Sequence, residues 1–158
     1  MNQVYDRVAL IGLGLIASSI FWASKRNNIS GYITGFSRSE ETRKIARNIG
    51  LCDEVTDNLK DAVKDADLVI LCVPVGAMKQ VMLEIAPFLK TGATISDVGS
   101  VKRAVIDAVE PHLPTDVKFV PAHPLAGTEH SGPESGFASL FDNRWCLLTD
   151  HESADNEA

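Results

Sequence analysis

Two short segments of the chain carry side chains that could perform acid–base chemistry. Residues 96–102 read Ser-Asp-Val-Gly-Ser-Val-Lys, and residues 123–133 begin with a histidine and are rich in glycine and proline. Because an imidazole changes its charge near neutral pH, His123 is a candidate general base for a substrate hydroxyl. Ser100 is a candidate hydrogen-bond partner of that hydroxyl or of the ring. A lone histidine is more often a core residue bonded to the backbone. The position of His123 in a loop that follows a strand instead favours a functional role, because binding and catalytic residues are common in such loops.

A glycine-rich turn near the start of the chain could hold a phosphate. The six residues from Gly12 to Ala17 fit the pattern G-x-G-x-x-G/A, directly after an apolar run and at the start of a helical pattern. Gly12 allows the tight turn, and Gly14 lets a pyrophosphate approach the backbone. Leu15 and Ile16 open the helix, whose N-terminus supplies free N–H groups and a partial positive charge. This turn predicts a dinucleotide site.

The end of the second predicted strand bears on which dinucleotide is bound. An acidic residue there would bind the 2′-hydroxyl of NAD, but this chain has Ser37, Arg38 and Ser39. One arginine and two hydroxyls suit the 2′-phosphate of NADP. Alternatively, Arg38 is solvated and Ser39 only caps a helix, and Glu40 and Glu41 weaken the positive field. NADP is therefore the preferred cofactor, with NAD as the alternative.

Alternating strands and helices are predicted to position these segments. The predicted strands are residues 8–11, 32–36, 68–73, 93–96 and 117–120, and the predicted helices are residues 15–25, 40–49, 58–64, 77–89 and 101–109. Strands that are apolar almost throughout are covered on both faces. The alternation predicts a Rossmann-type α/β fold with a doubly wound, mainly parallel sheet. Ligands of such sheets bind beyond the carboxyl ends of the strands, which is where both segments and the turn lie.

Composition excludes several classes of protein. The 158 residues carry a net charge of -6, which gives no electrostatic support for nucleic-acid binding. The apolar stretch that contains Gly12 and Gly14 is too short and too interrupted to span a membrane. The three cysteines form no CxxC pair, so a reducing, cytoplasmic location is expected. The histidines and cysteines lack the spacing of metal ligands, so no metal site is predicted.

Three motifs in this order resemble a known family. The Gly-Leu-Gly-Leu-Ile turn, the Asp-Val-Gly-Ser-Val-Lys segment and the His-Pro-Leu-Ala-Gly-Thr-Glu segment are similar to those of prephenate dehydrogenases and of the related arogenate and cyclohexadienyl dehydrogenases. The resemblance implies NAD(P)-dependent oxidative decarboxylation of prephenate, arogenate or both, in the biosynthesis of tyrosine. The expected partner is therefore this small-molecule substrate.

The resemblance also implies roles for individual residues. The family's catalytic histidine matches His123, which would accept the hydroxyl proton, and its active-site serine matches Ser100. Thr128 and Glu129 would lie in the substrate pocket together with these two residues. A strand-end segment that lines the cofactor in the family matches Val73 and Pro74.

A second domain is a further implication of the resemblance. Family members have a helical domain that forms a homodimer and completes the substrate site. On this basis residues 1–149 form the dinucleotide-binding domain, and residues 150–158 are a polar tail that is the truncated start of a missing helical domain. Two alternatives stay open at this point. One is a dehydrogenase of the β-hydroxyacid or 6-phosphogluconate type, and the other is a cofactor-binding fragment without turnover.

Overall fold

The centre of the fold is a parallel sheet of six strands. A computed structural model of the chain describes residues 3–149, so the predicted tail at 150–158 lies outside the described residues. The strand order is β3-β2-β1-β4-β5-β6, and every pair is parallel. The strands are β1 (Tyr5–Ile11), β2 (Ser30–Phe36), β3 (Glu54–Thr56), β4 (Leu68–Leu71), β5 (Thr94–Asp97) and β6 (Lys118–Val120). This order is the doubly wound arrangement that the sequence predicts.

Helices cover both faces of the sheet. They are α1 (Leu15–Asn27), α2 (Glu40–Asn48), α3 (Leu59–Val63), α4 (Val75–Ile85) and α5 (Lys102–Val109). Successive strand residues point to opposite faces, so Leu10 and Ile11 enter two separate apolar cores. Leu10 packs in a core with Phe21 of α1, and Ile11 packs in a core with Met82 of α4. The Rossmann-type α/β fold is therefore confirmed.

The fourth helix differs from its predicted bounds at both ends. It begins at Val75, directly after Pro74, and ends at Ile85, after which Ala86–Phe88 form a 3-10 turn. Pro87 has no N–H group and a fixed φ, so it cannot continue the α-helical hydrogen bonds. The earlier start brings the helix close to the end of β4, where cofactor residues are predicted.

An antiparallel ribbon of two short strands follows the main sheet, and sequence patterns did not predict it. It consists of β7 (Ala122–Pro124) and β8 (Cys146–Leu148), with His123 opposite Leu147. Strands of three residues are too short to show an alternating pattern. The ribbon matters because β7 carries the candidate general base.

Two properties of the described residues bear on membranes and metals. Within residues 3–149, no helix is long and apolar enough to cross a membrane. Over the same range, no group of three or more histidine, cysteine or acidic side chains could hold a metal ion.

The three cysteines differ in environment, and this leads to a testable prediction. Burial raises the pKa of the Cys52 thiol to about 12 and raises that of Cys72 as well, whereas Cys146 is exposed. Alkylation requires the thiolate. Iodoacetamide at neutral pH should therefore modify Cys146 first, as measured by peptide mass spectrometry. Rapid modification of Cys52 or Cys72 in the folded protein would contradict these environments.

Candidate cofactor and active site

Gly12 closes the turn between β1 and α1. Its φ is +101°, a backbone conformation that side chains rarely adopt. A Cβ built on Gly12 would lie 3.0 Å from the carbonyl carbon and oxygen of Cys72. The Gly12 N–H donates to the carbonyl of Phe36 at 2.9 Å. Only glycine suits this position, where the ends of β1, β2 and β4 approach one another.

Gly14 is the N-cap residue of α1, and its surroundings are open. Its φ of -120° suits any residue, and a Cβ built on it would have no atom within 4 Å. In the part of the chain that the structure describes, no side-chain hydrogen bond caps the start of the helix, and no acidic residue lies in its first turn. The first N–H groups of a helix lack partners within the helix and attract anions. The start of α1, with Leu15 and Ile16, therefore fits a pyrophosphate.

A cavity of about 300 Å³ opens beside this turn, at the carboxyl ends of β1, β2 and β4. Its lining consists of Gly12, Phe36, Ser37, Arg38, Ser39, Val73, Pro74, Ala77 and Val81. The structure thus brings together six residues that the sequence suggested for cofactor binding, from three separate segments. The sequence analysis missed Phe36, Ala77 and Val81. The spacing of four between Ala77 and Val81, which places both on one face of α4, was the available signal.

Arg43, which the sequence analysis also missed, stabilises the loop after β2 through hydrogen bonds to its backbone. The Arg43 Nη1 atom donates to the carbonyls of Ser37 and Arg38, both at 2.8 Å. Its Nη2 atom lies 3.4 Å from a carboxylate oxygen of Asp57, and only 11% of the side chain is exposed. Arg43 therefore fixes the backbone of the loop without being one of the residues that line the cavity.

The hydroxyls of this loop already have backbone partners. Ser39 is the N-cap of α2, and its hydroxyl accepts from the Thr42 N–H at 3.2 Å. The Ser37 hydroxyl accepts from the Ser39 N–H at 3.3 Å. A hydroxyl that accepts one bond keeps its own proton to donate. Ser37 and Ser39 can therefore still donate to a ligand oxygen, although Ser39 also caps the helix, as the alternative interpretation expected.

Arg38 lies at the mouth of the cavity. Its side chain is 65% exposed, and its guanidinium lies 3.6 Å from a carboxylate oxygen of Glu84 on α4. Ion pairs between exposed groups contribute little. Arg38 is therefore free to exchange this carboxylate for a ligand phosphate.

The candidate general base lies at the same carboxyl edge of the sheet, but after β6 and not beside β1 and β2. His123 is half-buried in β7, and Ser100 is exposed in the loop between β5 and α5. Among the described residues, no hydrogen bond joins the two side chains. Hydrogen bonds instead join their segments, because Asp97 and Lys102 both bond to the backbone of Ala122. The convergence of Ser100 and His123 on one substrate stays a prediction.

The remaining substrate candidates lie in the loop after β7. Thr128 and Glu129 are exposed. The Thr128 hydroxyl accepts from the His130 N–H at 3.2 Å, and Glu129 lies 3.4 Å from the His130 ring. Their role in binding substrate stays a prediction.

The long segment between β7 and β8 is anchored on α1. The Phe137 N–H donates to the Ser19 hydroxyl at 3.1 Å, and Asp142 pairs with Arg26 at 2.6 Å. A Cβ at Gly136 would lie 2.8 Å from the backbone nitrogen of Ser19, so glycine permits this close approach. The helix that opens at the phosphate turn thus also supports the segment that contains Thr128 and Glu129.

A second, apolar cavity of about 250 Å³ lies against one face of the ribbon of β7 and β8. Ala122 and Pro124 line it, and His123 does not. Neighbouring residues of a strand point to opposite faces, so His123 points away from this space. Trp145, which is 79% exposed, also contributes to its wall. The His123 side chain therefore does not contribute to the wall of this cavity.

Comparisons with known proteins agree with this arrangement. The family described as prephenate dehydrogenase, nucleotide-binding domain, matches residues 22–158. The cyclohexadienyl dehydrogenase of Zymomonas mobilis is 47% identical over 146 residues, which are 92% of this chain and 50% of that protein.

Solved structures give the same family. The prephenate dehydrogenase of Aquifex aeolicus, in complex with hydroxyphenyl propionate and NAD+, is 29% identical with a TM-score of 0.86, over 96% of this chain and 53% of that chain. The arogenate dehydrogenase of Synechocystis is 30% identical with a TM-score of 0.85, over 96% of this chain and 52% of that chain.

The family match decides between the dehydrogenase classes that the sequence left open. It covers most of the chain and favours the prephenate dehydrogenase family over the β-hydroxyacid or 6-phosphogluconate type. The chain spans about half the length of the curated relatives it matches. It belongs to the prephenate dehydrogenase family and contains that family's nucleotide-binding domain.

Proposed function

We propose that this chain binds NAD(P) and serves the oxidative decarboxylation of prephenate, arogenate or both, in tyrosine biosynthesis. The observation that carries the proposal is the cavity at the carboxyl edge of the sheet, beside the uncapped start of α1. The pyrophosphate would lie against Gly14, Leu15 and Ile16, with the adenosine ribose against the loop after β2. Val73 and Pro74 would line the cofactor on its other side.

The chemistry divides between the cofactor and the chain. A bound, oxidised nicotinamide would supply the acceptor for the hydride that leaves the ring carbon bearing the hydroxyl. His123 takes the hydroxyl proton as the carbon–oxygen double bond forms. The bond from the ring to its carboxylate then breaks, carbon dioxide leaves, and the bonding electrons make the ring aromatic. The proton held by His123 returns to the phenolic oxygen, so atoms and electrons balance.

The other polar residues would position the substrate. Ser100 would bond the reacting hydroxyl or the His123 ring, since both segments follow strands that end at this edge. Thr128 and Glu129 would contact the substrate from the loop after β7. An imidazole that a hydroxyl orients is the pattern expected of a general base and its partner.

A direct test separates binding from turnover. Isothermal titration with NAD+ and NADP+ should show binding to the purified chain, and absorbance of the reduced nicotinamide should report turnover of prephenate or arogenate. Failure to bind either dinucleotide would contradict the proposal. Binding without turnover of either substrate would instead favour the second candidate, a cofactor-binding module.

The proposed cofactor is NADP in preference to NAD. Arg38 supplies a positive charge at the cavity mouth, and Ser37 and Ser39 keep protons to donate. Within residues 3–149, no acidic side chain lines the cavity to accept the 2′-hydroxyl of NAD. Glu84 competes for Arg38 at 3.6 Å, which lowers the preference without removing the charge.

Replacing Arg38 tests this preference. Arg38→Ala should weaken NADP by about 1.5–3 kcal/mol, the value of a hydrogen bond to a charged group, and change NAD far less. Lys44→Ala is the matched control, because it removes one exposed cation of α2 that pairs with Glu40 outside the cavity. Titration calorimetry with both cofactors gives the four affinities. Equal weakening of NAD and NADP would show that Arg38 does not read the phosphate.

The cytoplasm is the compartment we propose. All three cysteines are free thiols, which suits a reducing environment.

A further inference from the structure

One buried carboxylate joins three segments of the chain beside the candidate general base. Asp97 is the last residue of β5, and its side chain is fully buried. One of its oxygens accepts from the Gly99 N–H at 2.7 Å, and the other accepts from the Ala122 N–H at 3.1 Å. The same carboxylate pairs with the ammonium of Lys102. Asp97 thus ties the end of β5 to the Ser100 loop, to α5 and to β7.

Lys102 completes the contact from the other side. It is the first residue of α5, and only 17% of its side chain is exposed. Besides Asp97, its ammonium donates to the Ala122 carbonyl at 2.6 Å. Both backbone groups of Ala122 therefore bond to this one pair, the N–H to Asp97 and the carbonyl to Lys102.

The ribbon leaves these two backbone groups of Ala122 without partners in β8. The flanking bonds run from the Thr149 N–H to the Pro121 carbonyl and from the Leu125 N–H to the Trp145 carbonyl. Opposed residues in antiparallel strands alternate between bonded and non-bonded pairs, and Ala122 falls in a non-bonded pair. Its N–H and carbonyl point away from β8, towards β5 and α5. Asp97 and Lys102 therefore hold the free edge of β7.

We propose that Asp97 and Lys102 are a positioning pair that sets the place and direction of His123 relative to the Ser100 loop. The Ala122 carbonyl and the His123 N–H belong to one planar peptide unit. Holding that plane fixes the backbone from which the His123 side chain projects. The role of His123 as general base rests on the proposed function, whereas the geometric effect of the pair does not.

A similar pair at the opposite edge of the sheet provides a control. Lys90 pairs with Asp67, which also accepts a backbone N–H, that of Arg7 at 2.9 Å. Asp67 immediately precedes β4, so this pair lies at the amino ends of the strands. Lys90→Met removes the same kind of contact far from His123.

The experiment uses proton NMR of the 158-residue chain, with the His123 ring signals identified by their loss in His123→Gln. In Lys102→Met, the His123 ring protons should change chemical shift and broaden, while those of His112 keep their positions. In Lys90→Met, the His123 ring protons should keep their positions. Because Lys102→Met leaves a buried carboxylate without its cation, which strongly destabilises a fold, Asp97→Asn/Lys102→Met is the second variant. Backbone amide spectra report whether each variant is folded.

The kinetic arm measures turnover of prephenate and arogenate by the same proteins. A misplacement of the base by an ångström should lower kcat by about 10²-fold, with a smaller change in KM. Unchanged His123 ring signals in the folded double variant would overturn the proposal, as would equal changes at His123 and His112. If the variants displace the His123 ring but the wild-type chain turns over neither substrate, the positioning pair is supported and the proposed function is contradicted.

Discussion

His123→Gln should lower kcat for prephenate or arogenate by about 10²–10⁴-fold, the usual contribution of a general base. Glutamine keeps a polar side chain of similar reach but cannot accept the hydroxyl proton. The affinity for the dinucleotide should stay unchanged, because His123 lies outside the cavity that holds the cofactor residues. Steady-state kinetics and titration calorimetry measure the two quantities separately.

The control for this prediction is His112→Gln. His112 is half-buried in the turn Glu110–His112, which leads into the amino end of β6 and so lies at the opposite edge of the sheet. This variant should retain the wild-type kcat. A His123→Gln protein that turns over substrate at the wild-type rate would remove His123 from the mechanism.

Substitutions of the two glycines in the turn should affect the stability of the fold and the affinity for the dinucleotide to different degrees. Gly12→Ala forces a side chain onto a φ of +101° and within 3.0 Å of the Cys72 backbone. We expect a loss of about 1–3 kcal/mol in the free energy of unfolding, the range for strained backbone. Dinucleotide affinity should fall with it, because the ends of β1 and β4 must move apart.

Gly14→Ser should weaken dinucleotide binding without destabilising the fold. Gly14 has extended backbone at the N-cap position, where a serine hydroxyl accepts from the first free N–H groups of the helix. Stability should be unchanged or slightly higher, while dinucleotide affinity falls by about tenfold or more, or ~1.4 kcal/mol, because the hydroxyl occupies the place of the pyrophosphate. Urea unfolding and calorimetry on both variants test the pair. A serine variant that binds as tightly as wild type would place the pyrophosphate elsewhere.

The candidate cofactor site was more predictable from the sequence than the candidate acid–base site. Gly12, Gly14 and the start of α1 are close together in the chain, and their proposed roles follow from backbone conformation and the free N–H groups of a helix. Arg43 was not predictable, because its charge looked like an ordinary solvated residue of α2. Only the folded loop shows its guanidinium under the carbonyls of Ser37 and Arg38.

The acid–base site depended more on tertiary structure. The sequence identified His123 and Ser100 by residue type and by their places after strands. It did not predict β7, since a strand of three residues has no periodicity, and it did not show that Lys102 bonds to the backbone of β7. The Asp97 carboxylate meets the Ala122 N–H across 25 positions of sequence.

The sequence by itself determined the fold class, the family and the phosphate turn, because alternating apolar strands and a glycine pattern are local properties that neighbouring residues share. Tertiary structure decided which groups hold the loops in place: Arg43 under the loop after β2, and Asp97 with Lys102 on the edge of β7. The physical reason is that buried polar groups take whichever partner the packed chain brings within about 3 Å, and sequence spacing does not encode that meeting.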